Sequence, residues 1–408
     1  MTAKPSTSNP FCRNGTPAAF VAGGNGPYAN TCSVLSGLDL TPVRGKQVLL
    51  KPNAGRPAAC NEGINTHPQV IAAAIDTLKK AGAEVAVGES PITGVSTMEA
   101  FETTGIAAVA QERDCRLIDM DERPCVRIPL ATGRAITELQ ICADIFDFDY
   151  IISVPVMKTH MHTGVTLSVK NMKGCLWRRS KVELHMRPEV PGINEKPLHI
   201  AIADMSAVLR PHIALIDGTV GMEGMGPSAG SARTLDVVIA ATDAFAADAI
   251  ACRLMGMQAK DVPYLRMGAE RGYGSIDLDS VEITPDNWQK WCVTFDPPPA
   301  NIKVAYPDMD ILDQNSCSAC QSTLMLFLKK YGKAVIDYFP AGSRISLAIG
   351  KGHKSVPDQT VCIGNCMARH RQGHTFIPGC PPVGSEILKA ITGETSLASG
   401  KVSKDIKE

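Results

Sequence analysis

The residues best suited to chemistry lie in the C-terminal quarter, where cysteines come at ligand spacing. Cys317 and Cys320 form a CxxC pair, Cys362 and Cys366 a CxxxC pair, and Cys380 stands alone before Pro381 and Pro382. A CxxC pair lets two thiolates grip one metal or cluster while amides of the turn point at sulfur. A proline after the last cysteine fixes the chain direction and removes one donor near the sulfurs. A [4Fe–4S] cluster takes four thiolates. The expected ligands are Cys317, Cys320, Cys366 and Cys380, with Cys362 as the alternate. A structural zinc site with all-thiolate ligands and plain burial of free cysteines are the competing readings. If one thiol fewer binds, an iron stays open to substrate and the chemistry changes from electron transfer to Lewis-acid work.

A second stretch, VPVMKTHMHTGVTLSVKNMKG (154–174), carries Lys158, His160, His162, Lys170, Asn171 and Lys173, with Gly164 and Gly174 allowing tight turns. Lysines at strand ends hold a carboxylate or phosphate, and a histidine among them moves a proton near neutral pH. His160, Lys158 and Lys170 are the catalytic candidates. Lys51, Asn53, Glu89, Ser90, Thr163, Asn171, Lys173 and Asp217 are the candidates for binding substrate. The competing reading is a solvated basic loop, together with strands that end in polar residues because they reach water. Asp243 and Asp248 suit helix capping at least as well as catalysis.

These side chains need a frame. KQVLLKPN (46–53) reads as a buried strand, THPQVIAAAIDTLKKAG as a helix with Thr66 or His67 capping it and Gly82 stopping it, and AEVAVGES (83–90) as the next strand. YIISVPVMKTH (150–160), HIALIDGTVG (212–221) and LDVVIAATD (235–243) repeat the pattern. The fold expected is α/β, a parallel or mixed sheet with helices on both faces, plus a smaller C-terminal α/β iron–sulfur domain. Ligands of such sheets bind at the carboxyl ends of strands, where five of these runs place Lys51, Glu89, Lys158, Asp217 and Asp243. Residues 1–30, rich in Pro, Gly, Asn, Ser and Thr, read as an irregular arm. Residues 31–300 form the main domain, and 301–408 the cysteine-rich one, beyond a triple proline at 297–299. The polar run 178–197 reads as a lid or an interface.

Composition limits the functions. The 408 residues are 44% hydrophobic and 20% charged, enough apolar material for a core. Lys and Arg number 41 against 41 Asp and Glu, which argues against coating nucleic acid. No apolar run reaches the roughly 18 residues that span a bilayer. An N-terminus without an apolar segment and 14 cysteines together point to a reducing cytoplasm.

The strings KPN, THP…AGA…VGES, VPVMKTH…TGVTLSVKNMKG, IDGTVGMEG and TDAFAADAIACRLMG occur in this order between about residues 45 and 260. Together they resemble the family numbered 362 among the domains of unknown function. Its members are often labelled iron–sulfur centre proteins, and many carry a ferredoxin insert with two CxxCxxCxxxC runs, which here gives way to the sparser tail. The GCPP string resembles the last ligand segment of hydrogenase small subunits and their relatives in respiratory complex I. The resemblance implies a cluster and a fold type, and no substrate. The stretch from His160 to Lys170 is similar to the glycine-containing segment of the nickel-dependent lactate racemase family, which implies 2-hydroxy-acid-like ligands.

The function expected is a [4Fe–4S] protein, an oxidoreductase acting on a small anionic metabolite, either carboxylate or phosphate. A cluster-dependent hydro-lyase or isomerase and a non-catalytic electron carrier are the alternatives. The partners expected are that metabolite, an electron donor or acceptor protein and a second copy of the chain, with neither nucleic acid nor membrane.

Overall fold

In a computed structural model the described residues are 9–12, 15–298, 309–339 and 344–394. The chain divides into two compact units between Pro298 and Pro299. The larger contains strands β1 (Ala18–Gly23), β2 (Gln47–Pro52), β3 (Glu84–Glu89), β4 (Arg116–Asp119), β5 (Cys125–Pro129) and β6 (Glu138–Cys142). It continues with β7 (Tyr150–Val154), β8 (Val156–His160), β9 (Gly164–Thr166), β10 (Ile213–Glu223), β11 (Ser231–Ala241) and β12 (Glu282–Thr284). Its main sheet runs β12-β1-β11-β10-β7-β2-β3-β4, with β8 pairing β10 and β9, while β5 and β6 form a separate ribbon. The sheet is mixed: β10, β7, β2, β3 and β4 are successively parallel, and β11 runs antiparallel to both β1 and β10.

Strand β2 shows how the core is divided. Val48 and Leu50 enter one apolar cluster, and Leu49 between them enters the other, as the two-residue period of a strand requires. The helices Gly26–Gly37 and Pro68–Lys80 cover the first face. Pro197–Met205 and Ala244–Leu254 cover the second. His67 caps Pro68–Lys80, its Nδ1 accepting from the Gln69 amide, and Gly82 turns the chain away at φ +92°. Asp243 caps Ala244–Leu254 by accepting from the amides of Phe245 and Ala246.

Three expectations need correction. Residues 1–30 are not an irregular arm throughout. AAFVAG forms β1, and a helix starts at Gly26, because an apolar run of strand length fits between β11 and β12 despite the Gly and Pro around it. The 150–160 run is not one strand. Pro155, with no N–H for the ladder, splits it into β7 and β8. The polar 178–197 run is not merely a loop, since it contains the helix Ser180–Glu183 and buries Lys181 and Leu184.

The smaller unit is an α/β layer of its own. Strands β13 (Met309–Asp313), β14 (Ile345–Ile349), β15 (Val361–Ile363) and β16 (Thr375–Ile377) are parallel in that order. The helices Ser318–Ile336 and Gly384–Thr392 pack with them around Leu324, Leu328, Leu347 and Ile387.

Candidate functional site

In the larger unit the ends of the parallel strands are joined by one buried polar network. Lys51, at the end of β2 and 1% exposed, donates to Glu89 Oε2 at 2.7 Å, the Pro52 carbonyl at 2.7 Å and Asn171 Oδ1 at 3.3 Å. Glu89, at the end of β3, also accepts from the amides of Ala54 and Ser90. Asn53 donates to Asn171 Oδ1 and accepts from Lys158 Nζ at 2.6 Å, so the ends of β2 and β8 meet through one amide side chain. Asn171 in turn donates to Ser153 on β7. Gly174 is required here, because a Cβ would lie 2.4 Å from Glu89 Oε1 and 2.5 Å from Lys51 Nζ.

Beside this network lies a cationic and imidazole cluster. Lys170, 8% exposed, donates to Thr166 Oγ1 at 3.3 Å. Among the described residues, the acceptors of Lys158 are the neutral Asn53 Oδ1 and the Ile64 carbonyl. Lys173 touches His185, and the rings of His160 and His162 stand 5.7 Å apart, with His185 6.4 Å from His162. Among the described residues the carboxylate ion pairs of this region are Lys51–Glu89 and Lys181–Asp121, and neither involves Lys158, Lys170 or Lys173.

Burial outweighs counter-charge in setting the ionisation here, the charge of Glu89 being too weak to keep Lys158 in its ordinary range. Desolvation lowers the Lys170 ammonium to about 7. Burial, then the charges of Lys170 and Arg56, push Lys158 well below the ordinary lysine range. Burial followed by Lys170 and Lys181 does the same to Lys173. Burial and Lys170 hold His160 well below its usual value. Its Nδ1 accepts from the His162 amide at 3.1 Å, which places the proton of the neutral ring on Nε2.

Three of the candidates face elsewhere. Asp217 is held by the amides of His67 at 2.7 Å and Thr219 at 2.9 Å, a brace between β10 and the helix Pro68–Lys80. Thr163 donates to the Val165 carbonyl within the β8–β9 turn. Ser90 donates to Asp121 at 2.6 Å and accepts from Lys181, one step away from the lysine group.

Residues that the sequence pattern did not mark also stand here. Lys181 and His185 arrive from the polar 178–197 run, and buried His199 from the helix Pro197–Met205. His199 is lowered to about 4 by burial and by Lys196 and Lys170, and its Nδ1 lacks a partner. The paired lysine and histidine of KVELH were the available signal. Asp248 accepts from the amides of Ser168 at 2.6 Å and Val169 at 3.0 Å, anchoring the short helix Ser168–Asn171 that presents Lys170 and Asn171. Burial raises its carboxyl well above the usual range.

In the smaller unit four cysteines gather and one does not. Cys317, at the start of the helix Ser318–Ile336, is lowered to about 6, first by the Cys320 thiol and then by the amides of Cys320 and Ala319, against burial. Cys320 is raised by its hydrogen bond to Cys317, by burial and by the charges of Cys317, Cys366 and Cys380. The loops bearing the last two are tied together, since the Asn365 amide donates to the Gly379 carbonyl at 2.9 Å and the Gly379 amide to Asn365 Oδ1 at 2.8 Å. Gly364, at φ +94°, brings its backbone close, so that a Cβ there would stand 3.4 Å from Cys320 Sγ. Cys362 lies fully buried with Ala348 and Met367, raised by burial alone. Four neighbouring thiols on glycine-lined turns fit the donor set of a [4Fe–4S] cluster. Among the described residues, no three His, Cys, Asp or Glu side chains are drawn together tightly enough to hold a single metal ion.

The profile of the family described as "Domain of unknown function (DUF362)" matches residues 48–253. A thylakoid-associated protein of Synechocystis is 24% identical over 258 residues, 60% of this chain and 76% of that protein. The lactate racemase apoprotein of Thermoanaerobacterium thermosaccharolyticum superposes with a TM-score of 0.39 at 12% identity, covering 85% of this chain and 68% of that one. Among the described residues no helix is long and apolar enough to cross a membrane.

Proposed function

The chain belongs to the DUF362 family, and from that premise we propose that it is an iron–sulfur oxidoreductase acting on a small anionic metabolite, a carboxylate or a phosphate. The observation that carries the reading is the group of buried Lys158, Lys170, His160 and His162 with half-buried Lys173 and His185, in which, among the described residues, no carboxylate forms an ion pair with the three lysines. Glu89, whose charge reaches Lys158, is already paired to Lys51, so the group still favours an added negative charge. An anion supplied by substrate would raise the amines back toward their charged state, because the Coulomb attraction offsets the desolvation that now lowers them. Lys158 and Lys170 hold the anion, Lys51 and Asn171 keep the strand ends in register, and neutral His160 offers the anion a hydrogen bond from Nε2.

Cys317, Cys320, Cys366 and Cys380 would hold a [4Fe–4S] cluster, which supplies one-electron chemistry when bound. Having four neighbouring thiols rather than three favours a fully ligated, electron-transferring cluster over a Lewis-acid iron in a hydro-lyase or isomerase. The segment bearing Lys181 and His185 is bonded across this group, to Ser90 and Lys173.

Two measurements test the reading. Anaerobically purified protein is expected to contain about four iron and four sulfide per chain. Low-temperature EPR should lose its signal in Cys→Ser variants at positions 317, 320, 366 and 380, and keep it in Cys362→Ser. Protein free of iron and sulfide would sink the cluster. In thermal-shift experiments phosphate or a short carboxylate should stabilise the larger unit, and Lys158→Ala should abolish the shift. A shift that survives that change moves the anion site elsewhere.

A further inference from the structure

The carboxyl ends of the smaller unit's strands carry a second feature beside the cysteines. Between Gly350 and Thr375 the chain has Lys351, Lys354, Arg369 and Arg371, three histidines and a single acid, Asp358, in a protein whose total charges balance. All four cationic side chains are exposed, and so is Cys366.

The loops bearing them are fixed to one another. Arg369 donates to the Lys351 carbonyl at 2.7 Å, and His370 lies 3.2 Å from the His353 carbonyl. Buried His353 bonds the carbonyls of Leu312 and Ile349, at the ends of β13 and β14. The Gly352 amide donates to the Gln314 carbonyl at 2.8 Å, three residues before Cys317. A rigid basic rim therefore stands on the loops that also present the thiols. Among the described residues of this unit the ion pair is Arg344–Asp310, which leaves the rim's four cations without an acidic partner.

We propose that this rim, centred on Lys351, Lys354, Arg369 and Arg371 around Cys366, is the docking face for an acidic electron-carrier protein. The inference rests on the cluster reading for the reason to dock there, and on charge complementarity for the occupant. Four unpaired cations on a fixed frame produce a potential that steers an acidic surface into contact and weakens as salt rises. The rim positions a partner and does no chemistry itself.

Flavodoxin, an acidic one-electron carrier, is a suitable probe. Its affinity for the iron-loaded full chain, measured by calorimetry at low and at about 150 mM ionic strength, should fall with salt. Lys354→Glu combined with Arg371→Glu should weaken it roughly tenfold or more. Lys80→Glu, on a surface helix of the larger unit, should leave it unchanged, and iron content should be equal in all three proteins. Salt-independent affinity, or equal affinity in the charge-reversed variant, overturns the docking face while the cluster stands. Purified protein lacking iron and sulfide overturns the cluster reading, and this one with it.

Discussion

A lysine kept out of water with no acid beside it is a proton switch whose direction can be worked out. Lys170 titrates near 7 in the folded chain against an ordinary 10.5. Between those values the unfolded chain binds more protons, so ligand-free stability should rise with pH across that window. Lys170→Met should remove that part of the rise and increase stability at neutral pH, as read by urea denaturation at several pH values. The same residue ties anion binding to protons: affinity for phosphate should fall as pH climbs through about 7, and binding near that pH should take up a proton. Calorimetry in buffers of different ionisation enthalpy measures the uptake, and an uptake unchanged in Lys170→Met would assign it to another group. Gly174 offers a separate test, because a methyl there must displace both halves of the Lys51–Glu89 pair. Gly174→Ala is expected to cost about 2 kcal/mol, measured by equilibrium unfolding.

At the scale of elements, the short helix Ser168–Asn171 is too small to hold itself, having only one turn. Its position depends on Asp248, which receives its first two amides from across the fold. Asp248→Ala should therefore lower stability by about 1–3 kcal/mol and also weaken the anion-induced thermal shift, although residue 248 would not touch the anion. An anion shift of full size in the variant would show that Lys170 is held by other contacts. Much of this architecture was legible. The strands carrying Lys51 and Glu89 announced themselves as apolar runs with polar ends, whereas Asp217 lies inside β10 rather than at its end, and the capping of Pro68–Lys80 followed from His67 and Pro68. What stayed hidden had a common cause, namely partners distant in sequence. Nothing local in RRSKVELH marks Lys181 as buried, because what buries it is Ser90 and Asp121 on the far side of the sheet order. Asp217 and Thr163 spend their hydrogen bonds on backbone amides and carbonyls, which composition does not reveal. The thiol grouping was more accessible, since its spacing pattern falls within a single unit.

For the whole molecule, the two units have separate apolar cores, Leu49, Ile71 and Ile250 lying in clusters of one and Leu324, Leu347 and Ile387 in that of the other. Scanning calorimetry is expected to resolve two transitions. Phosphate should move only one of them and Cys320→Ser only the other, whereas a single transition shifted by both would show one cooperative body. The placement of β1 has a consequence for how such a chain is made on the ribosome. Residues 18–23 are made well before their antiparallel neighbour β11, which lies more than two hundred residues further along. At roughly 5–20 residues per second the nascent strand waits some tens of seconds for its place in the sheet. During that interval it is a sticky, unpaired ribbon, the segment on which trigger-type chaperones would be expected to sit.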